Sequence, residues 1–431
     1  MRFGEKIRHI AYWSADAIKG GNIRKHYNEI KHLIEFPKDE YSIKKSQNSL
    51  NKVLTHSVDS VDFYRGEDAS NIENFPVINK EIIRGSFDNF QSKTYKNRNK
   101  ISVTTSGSTG KSFEVFQNIN KKNRCSAEII YFSELAGYKL GYKLYYLRFW
   151  HMFQKKSQML RWVQHISTID VFNLSDSKIK SLLESMKQNS SNKSMIGYAS
   201  IFKKIVNYLD SINSQPLDCN FKSLIGISER LDPAIKVSIK KYFNVDMVSR
   251  YSNAENGMLA QQPKDKEYFE INWASYYIEI LNLNNNIPVI IGELGRIVIT
   301  DLFNYCMPII RYDTGDVGIM DIIDSKKVLT KVEGRIMDML KNTSGEILST
   351  SVLMVINKYT EVLQRQIIQK TKKEYLFKLK IENETFERQE DFVNEFKSYF
   401  GEDAIIKFEF VNEIPLLPSG KEQAIINEVK G

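Results

Sequence analysis

Apolar residues recur at helical spacing over Ile23–Glu35 and again over Ile43–His56, with polar turns between, so residues 1 to about 100 predict helices. Beyond that point the period shortens. β-like runs at Ile101–Thr105, Phe113–Phe116, Tyr145–Phe149, Ser194–Gly197 and Ser223–Ile227 are separated by helix-length segments such as Ile201–Ile212 and Pro233–Phe243. Strands alternating with helices predict an α/β sheet. Between about 268 and 332 the strands crowd together (Tyr276–Leu281, Gly295–Thr300, Lys327–Glu333), a spacing that predicts a more antiparallel subdomain of hairpins. After Gly334–Arg335 the pattern resets to a strand at Tyr375–Ile381, a helix at Glu387–Phe400 and a strand at Ala404–Val411. The expected class is therefore α/β, with a large N-terminal α/β domain over 1–335 and a small α+β C-terminal domain over 336–431.

A chain of 431 residues exceeds one ordinary core, which agrees with that division. Its 42% hydrophobic and 26% charged residues are the balance of a globular protein. The longest apolar runs, such as Val352–Ile356, fall far short of the roughly 20 residues that cross a bilayer, and Asp16 interrupts the early apolar stretch, so neither a transmembrane helix nor a secretory signal is expected. A cytoplasmic protein is the expectation. The net charge of +9 suits meetings with anions, but the lysines are scattered in short groups such as Lys155–Lys156, which argues against a nucleic-acid groove. Cys125, Cys219 and Cys306 form no CxxC and the histidines no i, i+4 pair, so buried thiols and no protein-only metal cage are expected.

Thr105–Ser106–Gly107–Ser108–Thr109–Gly110–Lys111 follows a β-like run, and its glycines and hydroxyls suit backbone N–H groups that wrap phosphate oxygens. A P-loop is excluded by spacing. Counting back from Gly110–Lys111–Ser112 puts Thr105 where the first Gly must stand, and a strand-like run follows instead of a helix. The segment instead resembles the phosphate-binding loop of the adenylate-forming superfamily of acyl-CoA synthetases and related ligases. Four further segments resemble that family's motifs in the family's order.

Ser249–Arg250–Tyr251–Ser252–Asn253–Ala254–Glu255–Asn256–Gly257 is similar to its Tyr-Gly-x-Thr-Glu segment, which implies that Glu255 holds Mg²⁺ against the ATP phosphates. Ser252 stands in place of Gly and Ala254 in place of Thr. Pro308–Ile309–Ile310–Arg311–Tyr312–Asp313–Thr314–Gly315–Asp316 resembles the segment whose final Asp accepts hydrogen bonds from both ribose hydroxyls, here Asp316, although Thr-Gly-Asp is also good turn chemistry. Glu333–Gly334–Arg335–Ile336–Met337–Asp338 resembles the domain junction, implying a nucleotide contact for Arg335 and a hinge at Asp338, with Gly345 on the face turned to the acceptor. Pro415–Leu416–Leu417–Pro418–Ser419–Gly420–Lys421 resembles the tail whose lysine bridges the substrate carboxylate and the α-phosphate.

The resemblance runs from about residue 60 to the end and is nearest the phenylacetate–CoA ligase and CapK-like branch, with supporting segments at Phe75–Lys80, Gly197–Ser200, Ser228–Leu231 and Gly292–Gly295. It implies that Ser228, Glu229, Tyr251 and Ser252 lie around adenine and ribose, and that Tyr145–His151, with Arg148, builds the acyl pocket unless it is plain core strand. The implied activity is ATP-dependent activation of a carboxylic acid to an acyl-adenylate, then transfer to coenzyme A or a carrier pantetheine. Transfer to an amine in surface-polysaccharide assembly, and a non-catalytic nucleotide-binding relative, are the alternatives. Expected partners are a small-molecule acid, ATP, Mg²⁺ and the acceptor, with no nucleic acid and no membrane insertion; peripheral membrane association and a homodimer are left open.

Overall fold

The computed structural model describes every residue except 106–112, 149–157, 172–173, 336–339, 347, 349–351, 384, 416–422 and 430–431. Three helices lead: α1 (Phe3–Ile18), α2 (Asn22–Glu35) and α3 (Glu40–Ser60). Gly20 and Gly21, at φ +97° and +67°, make the left-handed link between the first two, a conformation that costs glycine little. Asp39 starts α3 by accepting the Ser42 N–H at 2.6 Å. The short α4 (Lys80–Gly85) is capped in the same way by Asn79, whose Oδ1 accepts from Glu81 and Ile82 at 3.0 Å each. Strands β1 (Ile101–Thr105) and β2 (Phe113–Gln117) pair antiparallel from Ile101↔Gln117 to Thr105↔Phe113, so residues 106–112 join the two strands of a hairpin. The strand expected after the glycine-rich segment is thus present. Helix α5 (Ile119–Leu135) then buries Ala127, Tyr131 and Phe132 against Ile30, Leu33 and Ile34 of α2.

Five parallel strands follow, alternating with helices: β3 (Lys143–Arg148), α6 (Gln158–Val163), β4 (Ile166–Asp170), α7 (Asp176–Gln188), β5 (Lys193–Tyr198), α8 (Ala199–Ser211), β6 (Phe221–Ile227), α9 (Pro233–Phe243) and β7 (Met247–Asn253). Their order is β4-β3-β5-β6-β7. Every residue of β5 is buried, as expected of a parallel strand covered on both faces. Helix α9 has ordinary punctuation, an Asp232 cap before Pro233 and a left-handed Asn244 at its end.

The crowded strands are β8 (Gly257–Gln261), β9 (Phe269–Ile271), β10 (Tyr276–Leu281), β11 (Leu294–Asp301), β12 (Tyr312–Ile323) and β13 (Lys326–Arg335). They are antiparallel where their pairing is resolved, but they do not form a subdomain of their own. The sheet runs on from β7 through β8, β9, β13, β12 and β11 to β10, so the parallel and antiparallel halves share one sheet. Thr314–Gly315–Asp316 lies within β12 and not in a turn.

The chain divides into two compact units, Met1–Thr314 with Gly318–Val332, and Glu333–Gly431 with Gly315–Val317. In the second, α10 (Val352–Val355), β14 (Val362–Gln369), β15 (Glu374–Ile381), α11 (Gln389–Phe400), β16 (Ile405–Phe410) and β17 (Ile425–Asn427) give a sheet of order β16-β15-β14-β17. Its core is aromatic: Tyr375 stacks on Phe400 with centroids 4.1 Å apart, and Phe392 on Phe396 at 4.4 Å. No described helix is long and apolar enough to cross a membrane.

Candidate active site

The β7–β8 hairpin turns through Ala254–Glu255–Asn256, closed by Asn253, whose Oδ1 accepts the Asn256 N–H at 2.8 Å. Ser252 and Ala254 face solvent while Glu255 turns inward and is only 2% exposed. A carboxylate buried that deeply needs partners, and it has them. Tyr312 donates its phenolic proton to Glu255 Oε1 at 2.7 Å, and Lys80 Nζ lies 2.9 Å from the same oxygen. Two segments far apart in sequence, Ser249–Gly257 and Pro308–Asp316, are therefore joined through one carboxylate. A second link runs beside it, where Tyr251 donates to Thr314 Oγ1 at 3.3 Å and Thr314 to the Ile297 carbonyl at 3.0 Å.

Lys80 reaches this place because the chain before it pairs with β12. Ile78 N–H donates to the Arg311 carbonyl (3.0 Å) and Asp313 N–H to the Ile78 carbonyl (2.7 Å), a parallel bridge that sets Ile78 opposite Tyr312. Two residues on, Lys80 comes to Glu255. Arg311 holds the register from a left-handed backbone, φ +49°: its guanidinium grips Glu279 at 2.9 and 3.2 Å and donates to the Phe75 carbonyl at 3.1 Å. Lys80 Nζ also lies 5.6 Å from the ring centroid of Phe113, the residue that opens β2. Lys80, Glu255 and Tyr312 thus stand at the mouth of the hairpin that carries residues 106–112.

A buried polar network supports the turn from behind. Tyr276 donates to the Asn256 carbonyl at 2.7 Å, with Glu128 Oε2 a second acceptor at 3.2 Å, and its phenolic oxygen accepts from Lys121 at 2.8 Å. Burial, with Glu128 and Cys125 nearby, raises the Tyr276 phenol well above its ordinary range and keeps it a donor. Burial alone would depress the Lys121 ammonium, but Asp301, 2.8 Å away and likewise 0% exposed, reverses that and holds it charged. Removing one partner of such a pair strands the other charge. Lys121→Met is therefore expected to cost about 3–5 kcal/mol in denaturant unfolding; a loss below about 1 kcal/mol would show that Asp301 finds another partner. Burial also pushes the Cys125 and Cys306 thiols up to about 12, far from a nucleophile's range.

Open α/β sheets take their ligands beyond the carboxyl ends of the parallel strands, and Arg148, Tyr198 and Ser228 lie at those ends here. Arg148 closes β3 and hydrogen-bonds Tyr198, which closes β5; burial raises the Tyr198 phenol and Arg148 opposes the shift. Ser228 follows β6 in a left-handed conformation, φ +66°, and is exposed. Glu229 accepts the Ser200 N–H at 2.7 Å and the Ser200 hydroxyl at 3.2 Å, so its carboxylate sits on the positive N-terminus of α8. Asp316 is half-buried within β12 and has hydrogen-bonding or electrostatic partners of its own. Gly345 lies exposed at φ +95°, in a turn closed by Asn342, whose Oδ1 accepts from Ser344 and Glu346 at 3.0 and 2.9 Å. Arg335 ends β13. Ser106, Gly107, Ser108, Thr109, Gly110, Lys111, Asp338 and Lys421 lie outside the described residues, and Thr105 is described as the last residue of β1.

Residues 339–428 match the CapK C-terminal domain. Protein CapK of Staphylococcus aureus is 25% identical over 379 residues, covering 84% of this chain and 81% of that protein. Among solved structures, a 2-hydroxyisobutyryl-CoA ligase in the postadenylation state, in complex with 2-HIB-AMP, superposes with a TM-score of 0.70 at 17% identity over 90% of both chains. The fold is that of the adenylate-forming ligases. ATP-bound MatB from Rhodopseudomonas palustris shares it more distantly, with a TM-score of 0.56 at 14% identity over 75% of this chain and 66% of that one.

Within this adenylate-forming fold, the sequence singled out Glu255 and Asp316 but gave Lys80 and Tyr312 no role. The signal for both was present. Lys80 ends the Phe75–Lys80 segment and Tyr312 sits inside the Pro308–Asp316 segment, but only the Ile78–Tyr312 bridge brings them to one carboxylate. Among the described residues no three of His, Cys, Asp and Glu gather into a metal cage.

Proposed function

We propose that this protein activates a carboxylic acid with ATP, forming an acyl-adenylate and pyrophosphate, and then passes the acyl group to a thiol, that of coenzyme A or of a carrier pantetheine. The observation that carries this reading is the meeting of Glu255, Tyr312 and Lys80 at the mouth of the glycine-rich hairpin, in a fold shared with acid–CoA ligases. ATP would lie with its phosphates against residues 105–111 and its adenosine along Ser228, Glu229, Tyr251, Ser252 and Asp316. Glu255 would hold Mg²⁺ on those phosphates. The donor fits, being a hard carboxylate whose Oε1 already balances a cation, Lys80, at 2.9 Å. Bound there, the ion would offset the charge of the leaving pyrophosphate.

The acid's carboxylate attacks the α-phosphorus, the phosphorus–oxygen bond to pyrophosphate breaks, and no side-chain nucleophile is needed. Lys421 would neutralise the five-coordinate phosphorus, with Arg335 beside the nucleotide. The unit beyond the hinge at Asp338 would then turn to bring the Gly345 face to the acceptor. A second reading, transfer to an amine in surface-polysaccharide assembly, rests on the CapK-like look of Thr300–Asp301–Leu302 and Met307–Pro308–Ile309–Ile310–Arg311, and the CapK C-terminal domain match and the relative named CapK agree with that look.

Asp316 provides the test of nucleotide placement. Asp316→Ala is expected to weaken ATP binding about tenfold or more, since hydrogen bonds to a charged group are worth about 1.5–3 kcal/mol. Calorimetric titration with a non-hydrolysable ATP analogue measures it, and unchanged affinity would remove Asp316 from the site.

A further inference from the structure

Helix α1 is turned against the usual rule. It buries its two acids, Glu5 at 2% and Asp16 at 7% exposure, and presents Phe3 and three isoleucines to solvent. Phe3 is 80% exposed, Ile7 51%, Ile10 64% and Ile18 87%. Their spacing, with exposed Ala11 and Ser14 between, puts them along one face of the helix. Structure explains the buried half. Glu5 accepts from Asn192 N–H and Nδ2 at 2.8 and 2.9 Å, and Asp16 accepts the Ile23 and Arg24 N–H groups at 3.2 and 2.9 Å, which fixes the start of α2. Among the described residues nothing covers the exposed half.

The exposed charge of α1 and the start of α2 has one sign. Glu5 and Asp16 are the only carboxylates in residues 1–28 and both are buried, whereas Arg2, Lys6, Lys19, Arg24 and Lys25 are exposed. Trp162 of the adjacent α6, 70% exposed with Arg8 6.0 Å from its ring, adds an amphipathic aromatic of the kind that settles at a headgroup interface. An apolar stripe inside a cationic rim, on a helix that cannot span, is the make-up of an element lying in the plane of an anionic bilayer. A symmetric contact with a second copy would set the cationic rim against itself.

We propose that the outer face of α1 docks this protein peripherally on anionic phospholipid. The full chain is expected to co-sediment with vesicles of phosphatidylcholine and phosphatidylglycerol, weakly or not at all with phosphatidylcholine alone, and less as salt is raised. Ile7→Asp combined with Ile10→Asp should lower the partition coefficient about tenfold or more, while circular dichroism and thermal melting stay as in the parent. Lys6→Gln with Lys19→Gln, which leaves the apolar stripe intact, should reduce the preference for the anionic vesicles. Absence of binding, or binding that the Ile7/Ile10 pair does not alter, would overturn the proposal. So would a dimer in sedimentation that the same pair abolishes without any vesicle binding, since a second copy would then own the face.

Discussion

Glu255→Gln is expected to lower acid-dependent ATP–pyrophosphate exchange about a hundredfold or more while leaving the protein folded. Glutamine keeps the shape and an oxygen that can still accept from Tyr312, so the β7–β8 turn has no reason to open. What is lost is the charge. Lys80, 2.9 Å away in the parent, loses its counter-ion, and on the proposed reading a divalent cation would lose its protein ligand. The Mg²⁺ concentration needed for half-maximal exchange should therefore rise, whereas nucleotide affinity measured without metal should change little. Exchange within about twofold of the parent at ordinary Mg²⁺ would mean that the carboxylate serves only to hold Lys80 and Tyr312 in place.

How far this site was legible in the sequence depends on whether its contacts are local. The β1–β2 strands, α9 between Asp232 and Asn244, and the strand Tyr276–Leu281 follow from alternation and punctuation within a few residues, and they stand where the pattern put them. Fold class was readable for the same reason. The run Thr314–Asp316 was not, because turn chemistry and strand interior look alike until the neighbouring strand is known. Nor could the crowded hairpins be assigned to the main sheet, since the joining pair β9–β13 sets Glu270 opposite Val328, 58 positions on (328 − 270). Lys80 is the clearest case: it lies 175 positions from Glu255 (255 − 80) and is placed by a backbone bridge that no side-chain pattern encodes. Ser252 and Ala254, the departures from the family's segment, are both solvent-facing while Glu255 is buried, so the exchange of residue types at the tip left the inward carboxylate intact.

The second large effect is a separation of half-reactions. Lys421→Ala should depress acyl-adenylate formation at least a hundredfold, because the charge it would meet exists only while phosphorus is five-coordinate, yet spare acyl transfer from a chemically prepared adenylate. Gly345→Trp should do the reverse, leaving pyrophosphate release in a single turnover nearly intact while blocking the acceptor. Gly345 is suited to this test. A Cβ added there meets nothing within 4 Å and Gly345 is exposed, so the cost to the fold is the strain of a side chain at φ +95°, about 1–2 kcal/mol. Equal loss of both half-reactions in both folded variants would argue for one fixed site and against a turn about Asp338.

The central claim, adenylation of an acid, is tested most directly by ATP–pyrophosphate exchange over a library of aliphatic, aryl, hydroxy and amino acids, with and without coenzyme A. Exchange that depends on one chemical class of acid and proceeds without coenzyme A is the predicted result. ATP binding with no acid-dependent exchange anywhere in the library would contradict it and leave a nucleotide-binding relative that has lost the chemistry.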